Sequence, residues 1–329
     1  GKVPVIDNTW SAHDWQSTVL VRTGFRRHQY TVSPGLYAVG KPDSESEVLV
    51  TANFKLTFDH LRKCLDGVNA WVLVLDTKGV NVWCAAGKGT FATQELVARI
   101  QASQLHQVVS HKRVIVPQLG ATGVSARQTK AACGFRVIFG PVRMNDIPEF
   151  LENKRTVTPD MRKVTFTLKE RLILTPVELW ISAKPALFTL IGLVILSGFG
   201  PGIFSFNNMW PRWFFALFAL LSGMIAGAVI TPALLPIIPF RAFAPKGFFA
   251  GGILSALLLL VMNPVPHGVS AMAALFIFSS TVSSFLAMNF TGATPYTSPS
   301  GVEKEMKQYM PVQLLCVLIS AGLWIYSSF

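Results

Sequence analysis

The stretch that decides the fold is A-W-V-L-V-L-D-T-K-G-V-N-V-W-C-A-A-G-K, residues 70 to 88. Its first part, Ala70 to Asp76, is a short continuous apolar run, which is typical of a strand in a parallel sheet covered on both faces. Its second part, Asn81 to Lys88, places Cys84 at the start of a helix directly after that strand. Because unpaired N–H groups at a helix N-terminus favour negative charge, this position predicts a reactive or metal-binding thiolate.

A phosphate-binding loop is the alternative interpretation of the same glycines. A Walker A loop has Gly, four residues, and then Gly-Lys-Ser/Thr, so that backbone N–H groups and the lysine surround the phosphates. Here Val82 stands where the first glycine is required, and Gly89 stands where the hydroxyl residue is required. The mismatch makes nucleotide binding a weaker interpretation than metal binding.

Working outward from this stretch, strand and helix patterns alternate along the chain. That order predicts an α/β domain with a doubly wound parallel sheet, a Rossmann-like fold. In such sheets ligands bind beyond the carboxyl ends of the strands. The predicted strands cover residues 47–53, 70–76, 113–118 and 136–139, and the predicted helices cover residues 58–65, 93–103, 123–133 and 147–151.

The loops that follow the predicted strands hold small and hydroxyl residues and few acids or bases. Such a rim predicts close approach of the backbone to a large, flat, mostly uncharged ligand. These loops offer no paired carboxylates and no Ser-His-Asp order, and no G-x-G-x-x-G or H-E-x-x-H spacing fits. These absences argue against acid–base catalysis, dinucleotide binding and a histidine metal site.

Charge and hydropathy divide the chain in two. Residues 1–182 hold 23 of the 29 Lys and Arg and 15 of the 17 Asp and Glu, a net charge of 23 − 15 = +8. The division predicts a cytoplasmic domain at residues 1–153, a basic juxtamembrane linker at 154–183 and a transmembrane domain at 184–329. Five apolar stretches approach the roughly 20 residues that a spanning helix needs. They are residues 186–206, 213–230 with an extension to 240, 248–263, 269–290 and 311–329.

The basic linker indicates orientation, because short loops rich in Lys and Arg stay on the cytoplasmic side. We therefore expect a multi-pass protein of the inner cell membrane whose basic segment also touches lipid, and no nucleic-acid partner. The four cysteines, Cys64, Cys84, Cys133 and Cys316, contain no C-x-x-C pair. This chain therefore predicts no iron–sulfur cluster or zinc site of its own, and any electrons it uses come from a partner.

The motif N-V-W-C-A-A-G-K at residues 81–88, on a Rossmann-like domain followed by about five membrane helices, resembles the HgcA family, the corrinoid proteins of microbial mercury methylation. The soluble part is similar to the cobalamin-binding domain of the corrinoid iron–sulfur protein of the acetyl-CoA pathway. Three further stretches resemble the family's cobalamin-facing loops. They are T-A-N-F-K-L-T-F at 51–58, Q-L-G-A at 118–121 and F-G-P-V-R at 139–143.

The resemblance implies a methyltransferase of an anaerobe that passes a methyl group from cobalamin to inorganic Hg(II), giving methylmercury. It implies that cobalamin is bound base-off, with the Cys84 thiolate as the lower axial ligand of cobalt. The implied partners are a ferredoxin-like protein with two 4Fe–4S clusters as reductant, a methyl-donor protein or methyl-folate system, Hg(II) and membrane lipid. The alternative is a membrane-anchored corrinoid methyl carrier of one-carbon metabolism; a transporter with a nucleotide-binding domain ranks behind both.

The resemblance also implies site residues. Cys84 is the expected catalytic and cobalt-binding residue, and residues 81–83 are expected to form a cap beneath the corrin, with Trp83 shielding the thiolate. Threonines are expected to donate hydrogen bonds, and small residues to allow close approach; ordinary turn chemistry explains any single one of them equally well. The expected cofactor-binding residues are Thr51, Thr57, Asn81, Val82, Trp83, Cys84, Ala85, Gly120, Ala121 and Gly140.

Overall fold

The computed structural model describes residues 3–262 and 268–329 and divides into two compact units. The first unit comprises residues 1–21 and 25–165, and the second comprises residues 22–24 and 166–329. Asn263, where the third predicted span ends, lies outside the described residues.

A six-stranded mixed sheet forms the centre of the first unit, with the strand order β1-β2-β4-β3-β5-β6. The strand β3 is buried along its whole length, as its continuous apolar sequence requires for a sheet covered on both faces. The strands are β1 Val5–Ile6, β2 Gly35–Val39, β3 Val48–Ala52, β4 Ala70–Leu75, β5 Arg113–Val116 and β6 Arg136–Phe139.

Helices cover both faces of this sheet. One apolar core joins Val50 and Leu73 to Phe91 and Leu96, and a second core on other strand residues includes Leu61 and Phe150. Helices at all four predicted places are present, although their ends differ by a few residues. The helices are α1 Ala12–Arg22, α2 Lys55–Cys64, α3 Val82–Gly87, α4 Thr93–Ala102, α5 Leu105–Val108, α6 Ala126–Cys133 and α7 Ile147–Glu152.

The prediction of a purely parallel sheet is wrong at one edge. Strands β3 and β4, β3 and β5, and β5 and β6 pair in parallel, but β2 pairs antiparallel with β4. Strands β1 and β2 were not predicted, because a two-residue strand and a partly buried five-residue strand carry little local pattern. Strand β1 is the edge strand and pairs in parallel with β2, so these two strands run antiparallel to the other four. Mixed sheets of this kind are common among large α/β sheets.

The second unit is helical, and five of its helices are long and apolar enough to cross a membrane, judged by length and composition. These candidate spans are Leu168–Gly198, Phe206–Ala233, Phe243–Val261, Gly268–Ala293 and Ser300–Tyr326. They are built from α8 Leu168–Leu172, α9 Thr175–Gly198, α10 Phe206–Ile225, a π-helical segment Ala226–Ile230, α11 Thr231–Ala233, α12 Phe243–Val261, α13 Gly268–Phe290 and α14 Pro299–Tyr326.

The number of predicted spans agrees with these helices, but several predicted bounds differ, beginning with the first span, which starts at Leu168 and not at residue 186. The first apolar helix stops at Gly198, where β7 Phe199–Gly200 and β8 Ile203–Phe204 form a short hairpin before Phe206. The last helix starts twelve residues before Pro311, which therefore lies inside it. A proline inside a helix removes one hydrogen bond, and neighbouring helices tolerate that loss, so proline is a weak end signal in a helix bundle.

Three cations of the second unit are buried and act as caps for backbone carbonyls. Arg171 donates to the carbonyls of Pro232 and Ala233 at 2.9 and 2.8 Å, and Lys246 donates to that of Leu235 at 2.8 Å. Arg212, which is only 1% exposed, donates to the carbonyl of Phe199 at 3.1 Å. These contacts satisfy acceptors that broken helices leave without partners.

Candidate functional site

The candidate site is a cavity at the edge of the sheet where β3, β5 and β6 end. It holds about 200 Å³. Because pockets that enclose a whole drug-sized ligand hold roughly 300–1,000 Å³, this cavity can enclose only part of a large ligand. Six residues expected from the sequence line it together, namely Thr51, Thr57, Asn81, Val82, Trp83 and Gly140.

An apolar wall, which was not predicted from the sequence, forms part of this cavity. The wall follows β5 and β6, and only some of its residues lie in the loops whose small residues were noted in the sequence. Prolines and branched side chains after those strands were the available signal. The wall residues include Pro117, Leu119, Pro141, Val142, Met144 and Ile147.

Asn53 organises the loop that connects β4 to α3. Its side chain is buried, and its Oδ1 accepts hydrogen bonds from the backbone N–H groups of Thr77 and Gly79, both at 3.0 Å. Thr77 Oγ1 lies 2.8 Å from the same oxygen, and Asn53 Nδ2 donates to Asp76 Oδ1 at 3.2 Å. One side-chain amide thus holds three residues of the loop in place. The presence of an asparagine directly after a strand is only a weak indication of such a role.

The helix α3 carries Cys84 as its third residue, in agreement with the position expected from the sequence. Asn81 is the N-cap, and its side chain accepts a hydrogen bond from the Cys84 N–H at 2.9 Å. Unpaired N–H groups at the helix start were expected to favour a thiolate. This expectation is weakened, because the Cys84 N–H is already paired and the helix has only six residues. Lys88 stands at the C-terminal end of α3, whereas a phosphate loop places its lysine at the start of a helix.

One side of α3 is buried, and the Cys84 thiol lies on the exposed side. Val82, Ala85 and Ala86 are buried in the first apolar core, whereas Cys84 is exposed and Trp83 is 40% exposed. Shielding of the thiol by Trp83 beneath a bound ligand stays a prediction. Cys84 lies at the surface, directly after three residues that line the cavity.

Arg27 contributes positive charge near Cys84, and the sequence analysis did not identify it. Its guanidinium carbon lies over the Phe54 ring, 5.0 Å from the centroid. Burial lowers the pKa of Arg27, and the negative charge of a Cys84 thiolate acts in the opposite direction, so the two groups interact. More than 50 residues separate them in sequence, so no local pattern could have linked them.

Thr51 supplies a buried hydroxyl to the cavity wall. The residue is 1% exposed, and its Oγ1 has no hydrogen-bond partner among the described residues. Buried hydroxyl groups are normally paired, because leaving one unpaired costs about 1–3 kcal/mol. This hydroxyl therefore fits a polar group of a bound ligand.

Besides Cys84, three expected cofactor residues lie outside the cavity lining. Ala85 is fully buried, and its carbonyl accepts hydrogen bonds from the N–H groups of Thr90 and Phe91. Gly120 is buried, and a Cβ there would lie 2.5 Å from Phe91 Cε1. Ala121 follows Gly120 and is half-buried. Packing against Phe91 explains the small size of Gly120, and Ala85 is buried in the first apolar core; contact of all three residues with a ligand stays a prediction.

The described ranges 3–262 and 268–329 contain no group of three or more His, Cys, Asp or Glu side chains that could hold a metal ion. A metal bound at Cys84 would therefore take most of its ligands from a cofactor, because one thiolate leaves most coordination positions unfilled.

Comparisons with known proteins match the first unit. Residues 22–151 match the family described as CO dehydrogenase/acetyl-CoA synthase delta subunit. The chain is 32% identical over 130 residues to the acetyl-CoA decarbonylase/synthase complex subunit gamma of Methanopyrus kandleri, covering 39% of this chain and 28% of the relative. The gamma 2 subunit of Methanosarcina thermophila is 33% identical over 130 residues, covering 38% of this chain and 27% of the relative.

These matches agree with the expected similarity of the soluble part to a protein of the acetyl-CoA pathway. The chain spans about a quarter of the length of these curated relatives. Neither relative's name refers to mercury.

Proposed function

We propose that the similarity to acetyl-CoA decarbonylase/synthase gamma subunits reflects shared chemistry, and that this chain is a membrane-anchored corrinoid protein that transfers methyl groups. The observation that carries the proposal is the isolated, exposed Cys84 beside a cavity that contains the unpaired Thr51 hydroxyl. A corrinoid would bring most of the ligands of its cobalt with it, so a site with one protein ligand would suit it. The five apolar helices support membrane anchoring.

Each site residue has a proposed part. A bound corrinoid would supply a methyl group held on cobalt, the chemistry that the side chains of this chain lack. The Cys84 thiolate would ligate the metal from the α3 side and donate more electron density than a neutral imidazole. Thr51 would hydrogen-bond a polar group at the ligand's edge, and Asn81 holds the turn that presents Cys84. The apolar wall would exclude water from one side of the ligand.

The proposed methyl acceptor is Hg(II), delivered to the cytoplasmic face, with a ferredoxin-like protein carrying two 4Fe–4S clusters as reductant. The support is the resemblance of the cap motif at residues 81–88 to the mercury-methylating family. A bound corrinoid would supply a methyl group that an electrophile such as Hg(II) can accept, and the anionic thiolate of Cys84 would make that methyl group more electron-rich.

The second candidate is a methyl carrier of one-carbon metabolism, with a methyl-donor protein or methyl-folate system as its partner. The comparisons favour this candidate over the first, because the relatives are subunits of acetyl-CoA decarbonylase/synthase complexes. Both candidates use the same cavity and the same cysteine, so only the acceptor distinguishes them.

An acceptor assay separates the two candidates. The full chain is purified in non-ionic detergent, loaded with methylcobalamin and mixed with Hg(II) or with tetrahydrofolate. We expect a coloured protein that forms methylmercury, quantified by gas chromatography with atomic fluorescence. Transfer to tetrahydrofolate with no methylmercury above a protein-free control would assign the one-carbon function. A protein that binds no corrinoid would contradict both candidates.

A further inference from the structure

The open edge of the sheet in the first unit is strand β6. Within the described residues it pairs only with β5. The N–H of Arg136 donates to the Lys112 carbonyl at 2.8 Å, and that of Gly140 donates to the Val116 carbonyl at 2.9 Å. Because backbone groups of successive residues point to opposite sides of a strand, the N–H and C=O groups of Val137 and Phe139 point away from β5. They form a template for a further strand.

A groove of about 500 Å³ runs along this open edge. Its residues include three arginines, Arg136, Arg155 and Arg162, and no aspartate or glutamate. Arg155 pairs with Glu47, whereas Arg136 and Arg162 make no ion pair within the described part of the chain. The groove therefore carries unbalanced positive charge beside an unpaired strand edge.

Gln118 gives the groove a second, independent feature. Its Oε1 is buried and has no hydrogen-bond donor among residues 3–262 and 268–329. The residue lines the same groove as β6. A buried amide oxygen is normally paired, so this one indicates that a donor such as a backbone N–H belongs beside it.

We propose that the β6 edge binds an extended, acidic segment of a partner protein by strand addition. The backbone of that segment pairs with Val137 and Phe139, and its carboxylates face Arg136 and Arg162. A phosphate or lipid headgroup would satisfy the arginines, but it would leave the alternating N–H and C=O groups of the strand unpaired. The combination of edge and charge therefore favours an acidic peptide over either anion.

The groove lies next to the candidate site, and this proximity holds whether or not the proposed function is correct. Gln118 stands between Pro117 and Leu119, and both of these residues line the cavity beside α3. A partner segment at β6 would consequently lie next to the loop that forms one wall of that cavity. Strand addition itself requires no corrinoid.

The test uses the full chain in non-ionic detergent micelles and a fluorescein-labelled peptide of about eight residues with alternating valine and glutamate. We expect saturable binding by fluorescence anisotropy and slower hydrogen exchange at the Val137 and Phe139 amides. The double variant Arg136→Glu with Arg162→Glu should weaken binding at least about tenfold at low salt. The control, Arg127→Glu with Lys130→Glu, reverses two exposed charges on α6 and should bind normally.

Two further probes identify what the edge recognises. A peptide methylated at alternate backbone nitrogens should lose binding, because it keeps its charge and loses its strand hydrogen bonds. Equal binding of that peptide, or no protection at Val137 and Phe139, would overturn strand addition. Vesicles containing phosphatidylglycerol should leave exchange at these two amides unchanged. Vesicle binding that depends on Arg136 and Arg162, with no peptide binding, would assign the groove to the membrane surface instead.

Discussion

Cys84→Ala is expected to retain the fold and to lose methyl transfer by at least about 100-fold, or roughly 3 kcal/mol of barrier. Cys84 is exposed and sits inside α3, where alanine is a favourable helix residue, so the melting temperature should stay within a few degrees of the wild-type value. A bound corrinoid should show a changed visible spectrum, because the variant removes the thiolate that is proposed to ligate its cobalt. Absorption spectroscopy and the acceptor assay measure the two effects in one preparation.

Matched controls come from the other cysteines of the first unit. Cys64 contacts Asn145 and Cys133 contacts the Thr129 carbonyl, and neither residue lines the cavity. Cys64→Ala and Cys133→Ala should therefore keep both the spectrum and the transfer rate. A Cys84→Ala protein with unchanged spectrum and full activity would remove the ligand assignment and leave corrinoid binding intact.

Asn53→Ala should reduce corrinoid binding by disrupting the conformation of the loop between β4 and α3. The variant leaves the N–H groups of Thr77 and Gly79 without their acceptor. Each buried unsatisfied donor costs about 1–3 kcal/mol, so we expect about 2–5 kcal/mol of lost stability in this region. Corrinoid content should fall with it, although Asn53 does not line the cavity. Hydrogen exchange at residues 77–84 and the corrinoid-to-protein ratio measure the two effects.

Two variants show whether this loss belongs to the hydrogen bonds of Asn53. Asn53→Asp keeps an acceptor for Thr77 and Gly79 but loses the donor to Asp76 and places two carboxylates together, so it should show an intermediate effect. Asn153→Ala removes an exposed amide at the end of α7 and should behave like the wild type. Wild-type corrinoid content in Asn53→Ala would show that the loop keeps its conformation without this residue.

Much of the site could be predicted because parallel strands end at a common edge. Thr51 lies near the end of β3, Asn81 follows β4 and Gly140 follows β6, and the predicted parallel sheet was enough to place them at one edge. Strand β2 was missed because it carries little local pattern and its pairing partner β4 is more than 30 residues away. The wall after β6 was missed because its apolar residues resemble ordinary core residues in sequence.

Residues that act by holding other residues in place could not be identified from local sequence patterns. Asn53 reads as a turn residue until its oxygen is seen to accept from Thr77 and Gly79. Ala85 and Gly120 read as residues for close ligand approach, whereas the structure places them against Phe91. In each case the deciding neighbour belongs to another loop or helix.

By itself, the sequence determined that a covered strand leads into a short helix with one cysteine, and that apolar helices follow a charged domain. These features depend on neighbours within one strand or one helical turn, which periodicity and composition record. Only the tertiary structure decided that the Cys84 N–H is paired, that the thiol is exposed and that Arg27 lies near it. Hydrogen bonding, exposure and charge proximity depend on segments distant in sequence, because folding rather than local pattern brings them together.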